Sequence, residues 1–491
     1  MEISELTDAE RRVWEAFPLG GAVDFREGPD DDPGAGADWG PARTVRAEVL
    51  RALLLGGAPV AEGQTPVLRV TGARVSGVLD LQYAEVAAPI HLKTCLFDDI
   101  PELYRAQLRQ LSLTRCRLPG LHAVALRVDG SLRMPECRVL GPVRLGGARI
   151  AGGVTLYGAR LGEPGVAPGE PVLALNHVTV EDDIRADQGF TAHGVVRLEG
   201  AAIAGRVDFD DAVLSNPGGT VLQARNLTVG SELHAARLAA RGRVDLRGAR
   251  IPAGIGLEQA SLMNPGGIAL RASSLVAGAL WLHRTSRIQG TVTLRGAQVD
   301  FLYVASDTWP DEVRLDGFTY TRIGPPEPVE RRLEVLERDT DGYVPFAYEQ
   351  LTAAYRNMGD DAAARTVQLA KQRRQRAALP WYARAWGHLQ DVTVGYGFRP
   401  TRAAVWLLSL LLAGAVTYAV RPPVALKRGE APDFNPVFYT LDLLLPIVSF
   451  GQEQAYASRG VYQWLAYALI VLGWTLATTI AAGVTRTISR Q

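Results

Sequence analysis

Lysine is almost missing from this chain of 491 residues, in which it occurs only as Lys93, Lys371 and Lys427. Nearly all positive charge is therefore carried by arginine. Basic and acidic residues number 52 each, which gives a formal net charge of zero. The repeat region described below has no basic stripe with interleaved aromatic residues. These absences argue against nucleic acid as a partner.

The motifs of common catalytic chemistry are missing as well. The sequence has no phosphate-binding loop, no Cys-x-x-Cys, no His-Glu-x-x-His, and no Gly-x-Gly-x-x-Gly between a strand and a helix. Acidic clusters at 181–183 and 208–211 are the kind of carboxylate group that polysaccharide-cleaving β-solenoids use. We interpret them instead as solvated outward faces, because alternate strand residues point to water. The sequence predicts no cofactor, no metal site and no catalytic residue.

Cysteine is scarce, and its spacing is regular. Cys95, Cys116 and Cys137 are each 21 residues from the next. A metal or redox ladder is one interpretation of this spacing. We favour the other, in which each cysteine is a small buried residue that takes the place of alanine.

The most informative feature is a repeat of the form Leu-x-x-small-x-aliphatic. Leu246-Arg-Gly-Ala-Arg-Ile251 recurs 48 residues later as Leu294-Arg-Gly-Ala-Gln-Val299, and Asn-Pro-Gly-Gly occurs at both 216 and 264. Neighbouring units are 11 residues apart, and 21 to 24 residues close one coil. Such short units must stack to bury their apolar sides. The alternation and the turn residues indicate strands, so the pattern predicts a right-handed β-solenoid with pentapeptide-like repeats.

The chain divides into five predicted segments. Residues 1–62 form an N-terminal helical cap, which begins with a capping box at Thr7 and Glu10 and covers the first coil. The β-solenoid repeat domain follows at 63–320, with roughly ten coils. A Pro- and charge-rich linker spans 321–344. Amphipathic basic helices occupy 345–400, and residues 401–491 form a membrane region.

Two apolar runs define that membrane region. We predict transmembrane helices at about 403–420 and 461–484, and a candidate re-entrant half-helix at 436–450. Arginines precede the first run and follow the second, so the positive-inside rule predicts both termini in the cytoplasm. The predicted fold is thus mainly β, with an α-helical two-span hairpin in the plasma membrane of a bacterium.

The C-terminal third resembles a known arrangement. Tyr355-Arg-Asn-Met-Gly-Asp360, the arginine-rich helix after it, Gly395-Tyr-Gly-Phe-Arg-Pro400 and the half-helix resemble the ion-channel-like region of bacterial pentapeptide-repeat and related β-solenoid membrane proteins. The resemblance implies a pore module that assembles as a homo-oligomer, a tetramer. The implied pore segment follows the half-helix, where a Thr-x-Gly-Tyr-Gly-like filter is replaced by a degenerate sequence. Its candidate residues are Asp442, Ser449, Phe450, Gly451, Gln452 and Glu453.

These observations predict a membrane-anchored cytoplasmic β-solenoid that acts as an interaction or sensing scaffold. Its partners would be the lipid bilayer and an unidentified protein on the solenoid surface. The hairpin could conduct ions or serve as an anchor alone. The chain also resembles proteins labelled membrane-associated oxidoreductase, so an enzyme on a solenoid face is the alternative.

Overall fold

The computed structural model describes residues 3–28, 31–165, 169–377, 400–427, 432–445 and 449–488. The chain separates into two compact units, Met1–Asp360 and Asp361–Gln491. The first unit is built on a parallel β-solenoid of roughly twelve coils, which confirms the predicted solenoid and adds about two coils to the predicted number.

Each coil contributes short strands to four columns of parallel strands, which we call faces 1 to 4 in chain order. Face 1 contains Ala22–Asp24, Leu68–Thr71, Ile90–Lys93, Leu111–Thr114, Leu132–Arg133, Val154–Thr155, Ile184–Arg185, Val207–Asp208, Glu232–His234, Gly254–Gly256 and the second halves of Val276–Leu282, Gln298–Val304 and Thr319–Gly324. Face 2 contains Thr44–Arg46, Arg74–Ser76, Leu96–Phe97, Arg117–Leu118, Arg138–Val139, Arg160–Leu161, Thr191–His193 and the first halves of Val213–Gln223, Ala239–Asp245 and Ser261–Arg271.

The other two columns complete the coil. Face 3 contains Leu121–His122, Val143–Arg144, Leu173–Ala174, Val196–Arg197, the second halves of the three long strands of face 2, Gln289–Thr293 and Val313–Arg314. Face 4 contains Glu85–Val86, Gln107–Leu108, Arg127–Val128, Arg149–Ile150, Thr179–Val180, Ala202–Ile203, Thr228–Val229, Arg250–Ile251 and the first halves of the last three strands of face 1.

The repeat unit forms the turns that lead from face 1 to face 2 and from face 3 to face 4. In the unit Leu145–Ile150, the Ala148 N–H donates to the carbonyl of Leu145 at 3.0 Å, and Gly147 between them has a φ of 69°. The small residue and the two aliphatic residues of each unit point inward and are almost fully buried. Leu-x-x-small-x-aliphatic is therefore a tight turn that delivers one large and one small side chain to the core.

The three cysteines occupy the small position of this turn, as the spacing predicts. All three are free thiols and are buried. A hydrogen bond with Cys116, together with burial, raises the pKa of the Cys95 thiol well above its usual value. Burial also raises the pKa of Cys116. These thiols pack as core residues and are poor nucleophiles.

Both ends of the solenoid are covered by other elements. At the start lie α1 (Asp8–Ala16), α2 (Ala47–Leu54) and the 3₁₀ turns Ile3–Glu5, Pro33–Asp38 and Pro41–Arg43. The strands Ala22–Asp24 and Thr44–Arg46 pair with the first coil. At the other end, the segment 321–344 that composition assigns to a linker includes the end of the last strand and α3 (Val329–Glu337), and α4 (Pro345–Asn357) packs on that strand. The unpaired edges of a solenoid are thus covered.

The second unit contains α5 (Asp361–Ala377), α6 (Pro400–Val420), α7 (Pro436–Leu444), α8 (Gln452–Ala455) and α9 (Val461–Ile488). The strands Val424–Ala425 and Tyr456–Ala457 form an antiparallel pair. A buried aromatic contact joins α6 to α7, with the rings of Tyr418 and Tyr439 4.9 Å apart. The motif at 395–400 lies almost entirely outside the described residues.

The predicted two-span hairpin, and with it the placement in a bacterial plasma membrane with cytoplasmic termini, is wrong. Among the residues that the structure describes, no helix is long and apolar enough to cross a membrane. A span needs about 20 consecutive apolar residues.

The turn geometry predicts the effect of glycine at its third position. Ala125 has a φ of 56°, a conformation that is unfavourable for residues with a Cβ. Ala125→Gly should therefore raise the free energy of unfolding by about 0.5 kcal/mol, the strain relieved less the entropy cost of glycine. The buried Ala123→Gly is the matched control and should lower it by about 1.5 kcal/mol. Urea unfolding measures both, and a loss of stability in Ala125→Gly would contradict this account of the turn.

The N-terminal cap depends on a buried carboxylate. Glu10 is 1% exposed and bonds Arg46 and the backbone N–H of Thr7. Burial opposes ionisation, but the hydrogen bonds from Arg46 and Thr7 lower its pKa to about 2. Glu10→Gln should lower the free energy of unfolding by about 2 kcal/mol at pH 7.

The pKa of Glu10 is lower in the folded protein than in the unfolded chain. Its ion pair therefore contributes fully to the free energy of unfolding at pH values above the pKa of the unfolded chain, and this contribution is lost as the pH falls toward 2. Urea unfolding at pH 7 and pH 3 should therefore show a smaller difference between Glu10→Gln and the native protein at pH 3. The exposed Glu15→Gln serves as the control and should differ from the native protein by less than about 0.5 kcal/mol. A difference that grows on acidification would refute the assignment.

Candidate functional site

The candidate site lies on face 3, where consecutive coils place outward side chains in register. Arg197 pairs with Gln223, Asp245 with Arg271, Arg271 with Thr293, and Thr293 with Arg314. Parallel strands are about 4.8 Å apart, so each of these residues lies beside the next. A second column runs alongside and contains Glu199, Arg225, Arg247, Ser273 and Arg295.

Asp245 is the buried centre of this face. Its side chain is fully buried, and it accepts hydrogen bonds from Arg247 Nη2 at 2.8 Å and Arg225 Nε at 3.3 Å. Burial alone would raise the pKa of Asp245, but the hydrogen bonds and charge of Arg247, assisted by Arg225, hold it below its usual value. Two guanidinium groups are thus fixed around one carboxylate.

Arg271 is on the next coil, in register with Asp245. Within the described parts of the chain it has no ion-pair or hydrogen-bond partner for its guanidinium. Burial lowers the pKa of Arg271, the charges of Arg247, Arg243 and Arg225 lower it further, and Asp245 acts in the opposite direction. We call Arg225, Arg243, Arg247 and Arg271 the arginine cluster. Arg225 and Arg247 contact the carboxylate of Asp245, and Arg225 also lies 4.0 Å from Glu199. Arg243 donates to the hydroxyl of Thr220.

A buried hydroxyl adjoins the cluster without a partner. Thr293 is 4% exposed, and its Oγ1 has no hydrogen bond to any part of the chain that the structure describes. It is in register with Arg271 on one side and Arg314 on the other. A buried hydroxyl without a partner is costly, and here it adjoins a cation without a counter-ion. Together they can donate hydrogen bonds to an oxyanion, such as a carboxylate.

The acidic clusters of face 1 are largely engaged within the protein. Asp183 lies 3.4 Å from Arg206, Asp187 3.0 Å from Arg185, and Asp211 2.5 Å from Arg237. Over the described ranges no group of three or more His, Cys, Asp or Glu could hold a metal ion. Burial raises the pKa of Asp208, but its carboxylate caps the backbone N–H of Asp210 at 2.9 Å.

The predicted pore residues lie together in the second unit, around Asp442. Asp442 is 5% exposed, and its carboxylate accepts hydrogen bonds from the backbone N–H groups of Phe450, Gln452 and Glu453 at 2.5, 2.7 and 3.1 Å. Asp442 therefore fastens the loop before α8 to α7. Gln452 is also buried and bonds the chain at Asn435 and Asp433, and Ser449, Phe450 and Glu453 are exposed.

Assignment of these residues to a pore stays a prediction from the sequence, and the correction of the two-span hairpin removes the membrane setting on which it was based. The residues of face 3 were not singled out from the sequence. A pattern in the sequence identifies most of these residues. They directly precede the first residue of every second repeat unit, as Asp245 precedes Leu246 and Thr293 precedes Leu294.

Comparison of the chain with protein-family models, with curated proteins and with solved structures gives no match.

The arrangement around Asp245 predicts the effect of removing its charge. Asp245→Asn leaves the arginine cluster without its carboxylate, so the free energy of unfolding at pH 7 should fall by about 2 kcal/mol. The pKa of Asp245 is depressed, so this loss should shrink as the pH falls through the folded value. Adding Arg271→Gln should recover part of the stability by removing one of the repelling cations.

Urea unfolding of the single and double variants at pH 7 and at pH 3 measures these effects. Asp316→Asn, an exposed aspartate in the second column of face 3, is the control and should change stability by less than about 0.5 kcal/mol. A native-like stability of Asp245→Asn at pH 7 would show that the cluster does not need this carboxylate.

Proposed function

We propose that this protein is a non-enzymatic interaction scaffold, and that face 3 of its solenoid binds an acidic segment of a partner protein through the arginine cluster. One observation carries the proposal: the half-buried guanidinium of Arg271, which makes no ion pair or hydrogen bond with the described residues, lies in register with the buried, unpartnered hydroxyl of Thr293. A carboxylate from a partner would satisfy both groups.

The chemistry of the side chains supports a carboxylate ligand. A guanidinium group presents donors in a planar fork that matches a carboxylate oxygen pair, and charge-assisted bonds of this kind are the strong ones. Asp245 already shows this recognition within the chain, because it is held by Arg225 and Arg247. An incoming glutamate or aspartate on Arg271 would repeat the same contact one coil further along the face.

The face is also rigid enough to act as a template. Its strands are held on both sides by neighbouring coils, and their inward residues Val244, Leu270 and Val292 are almost fully buried. Arginines fixed on such strands lose little further freedom on binding, which favours affinity. Solenoid surfaces in general offer extended faces of this kind for partners.

We also assign the solenoid to the pentapeptide-like class. Most coils contain 21 to 23 residues, as the first residues of successive face 1 strands show at Leu68, Ile90, Leu111, Leu132 and Val154. Four strand columns for each coil, with repeat turns between faces 1 and 2 and between faces 3 and 4, support this assignment.

The proposal predicts salt-sensitive binding of an acidic peptide that requires Arg271. A fluorescein-labelled hexaglutamate peptide should bind the full chain at low salt, and Arg271→Gln should weaken binding about tenfold, since one charge-assisted contact is lost. Fluorescence anisotropy at several salt concentrations provides the measurement. Thr293→Val should weaken binding in the same direction by a smaller factor.

Arg127→Gln is the matched control, because it removes the same charge from an exposed position on face 4. It should leave the affinity within about twofold of the native value. If Arg127→Gln and Arg271→Gln lose equal affinity for the peptide, binding depends only on net charge, and the proposed site on face 3 is refuted. If a DNA duplex binds more tightly than the peptide, the ligand of face 3 is nucleic acid and not an acidic protein segment.

A further inference from the structure

A second feature lies on face 1, where one strand presents almost no side chains to the outside. The outward column there runs through His234, Gly256, Trp281 and Tyr303, each in register with the next. Gly256 leaves a missing side chain between an imidazole and an indole. We call this gap the glycine notch. It lies on a different face from the arginine cluster and does not depend on it.

The fold requires glycine at one end of this strand but not at the other. Gly254 has a φ of 137°, and an added Cβ would come within 2.7 Å of the carbonyl of Ala279. Gly256 has no such left-handed φ, and the atoms nearest to an added Cβ belong to the flexible carboxylate of Glu258, with Oε2 at 2.8 Å. The backbone therefore does not demand glycine at position 256, where the end of the flexible Glu258 side chain lies over the bare Cα.

One wall of the notch is aromatic. Trp281 contacts Phe301 edge-on with ring centroids 4.9 Å apart, and Tyr303 at 5.2 Å with an interplanar angle of 32°. Both partners lie on the following coil, so the other side of the indole faces the strand of Gly256. Arg322 lies 5.2 Å from the centre of the Phe301 ring, which shows that this aromatic cluster accepts a guanidinium group.

The remaining walls are acidic. Glu232 lies 2.7 Å from His234 on the preceding coil, and the Glu258 carboxylate lies over Gly256. No hydrogen bond or ion pair to the Glu258 side chain is present within the described ranges. His234 and Trp281 are two strand spacings apart, about 9.6 Å, so a flat group that enters between them meets the Glu258 carboxylate.

We propose that the glycine notch binds the guanidinium group of an arginine side chain on a partner protein. Such a group is flat and positively charged, it stacks on tryptophan, and it bonds carboxylates through two parallel N–H groups. Trp281 would supply the stacking surface, and Glu258 the carboxylate. Gly256 would supply the space, and Glu232 would add negative charge from the opposite wall.

The test compares two peptides on the full chain, acetyl-Gly-Arg-Gly-amide and its citrulline counterpart, which has the same shape without the charge. Isothermal titration and saturation-transfer NMR should show that the arginine peptide binds about tenfold more tightly. Gly256→Val, which fills the notch, and Glu258→Gln, which removes its charge, should each weaken binding by about the same factor.

Glu85→Gln is the matched control, because it removes the same charge as Glu258→Gln from an exposed position on face 4, and it should leave the affinity for the arginine peptide unchanged. The hexaglutamate peptide tests face 3 separately, so failure here and failure of the face 3 site are distinguishable. If Gly256→Val does not fold, as judged by circular dichroism, Glu258→Gln and Trp281→Leu still decide the result. Equal binding of the citrulline peptide, or native affinity in Glu258→Gln, would overturn the proposal. Displacement of the arginine peptide by a methyl glucoside would overturn it in favour of a carbohydrate site.

Discussion

The whole solenoid depends on the register of backbone hydrogen bonds between successive coils. Each strand bonds the coil before and the coil after it, so the strand positions of one coil fix those of its neighbours. The main requirement on the inward side chains is then their size, with a large residue and a small one at each repeat turn. The outward side chains are placed in straight columns as a by-product. Both proposed binding sites are products of those columns, and neither involves a special loop.

The sequence predicts the parts of this structure that depend on local pattern. Leu145, Ala148 and Ile150 show why the repeat can be recognised: the turn places a large and a small residue inward around a left-handed third residue, and an aliphatic residue follows two places later. The same rule identifies the cysteines as core residues. The predicted N-terminal helices occur as short pieces, and two strands between them, which have no repeat pattern, join the first coil.

The sequence does not predict which outward side chains of successive coils are neighbours on the surface. Coils differ in length, because the Asn-Pro-Gly-Gly segments at 216 and 264 lie inside long strands with shifts of register, so Arg271 is not a fixed number of residues from its neighbours. Asp442 illustrates the same limit. Its position in a helix suggests a role toward a pathway, but its hydrogen-bond partners are backbone groups at the start of α8, eight to eleven residues away. The membrane assignment is wrong as well, because among the described residues no helix is long and apolar enough to cross a membrane.

The two proposed sites are connected by one argument about cost. The inward residues determine the shape of the coil. An outward position can therefore hold the residue that gives the folded protein the greatest stability. Arg271 is expensive, because it is half-buried among three other cations. Thr293 is expensive, because its hydroxyl is buried without a bond. Gly256 also destabilises the fold, because glycine loses more conformational entropy on folding than a residue with a side chain. The backbone conformation at position 256 does not require glycine. Where a regular scaffold carries such costs in adjoining coils, a ligand that repays them is the simplest physical explanation.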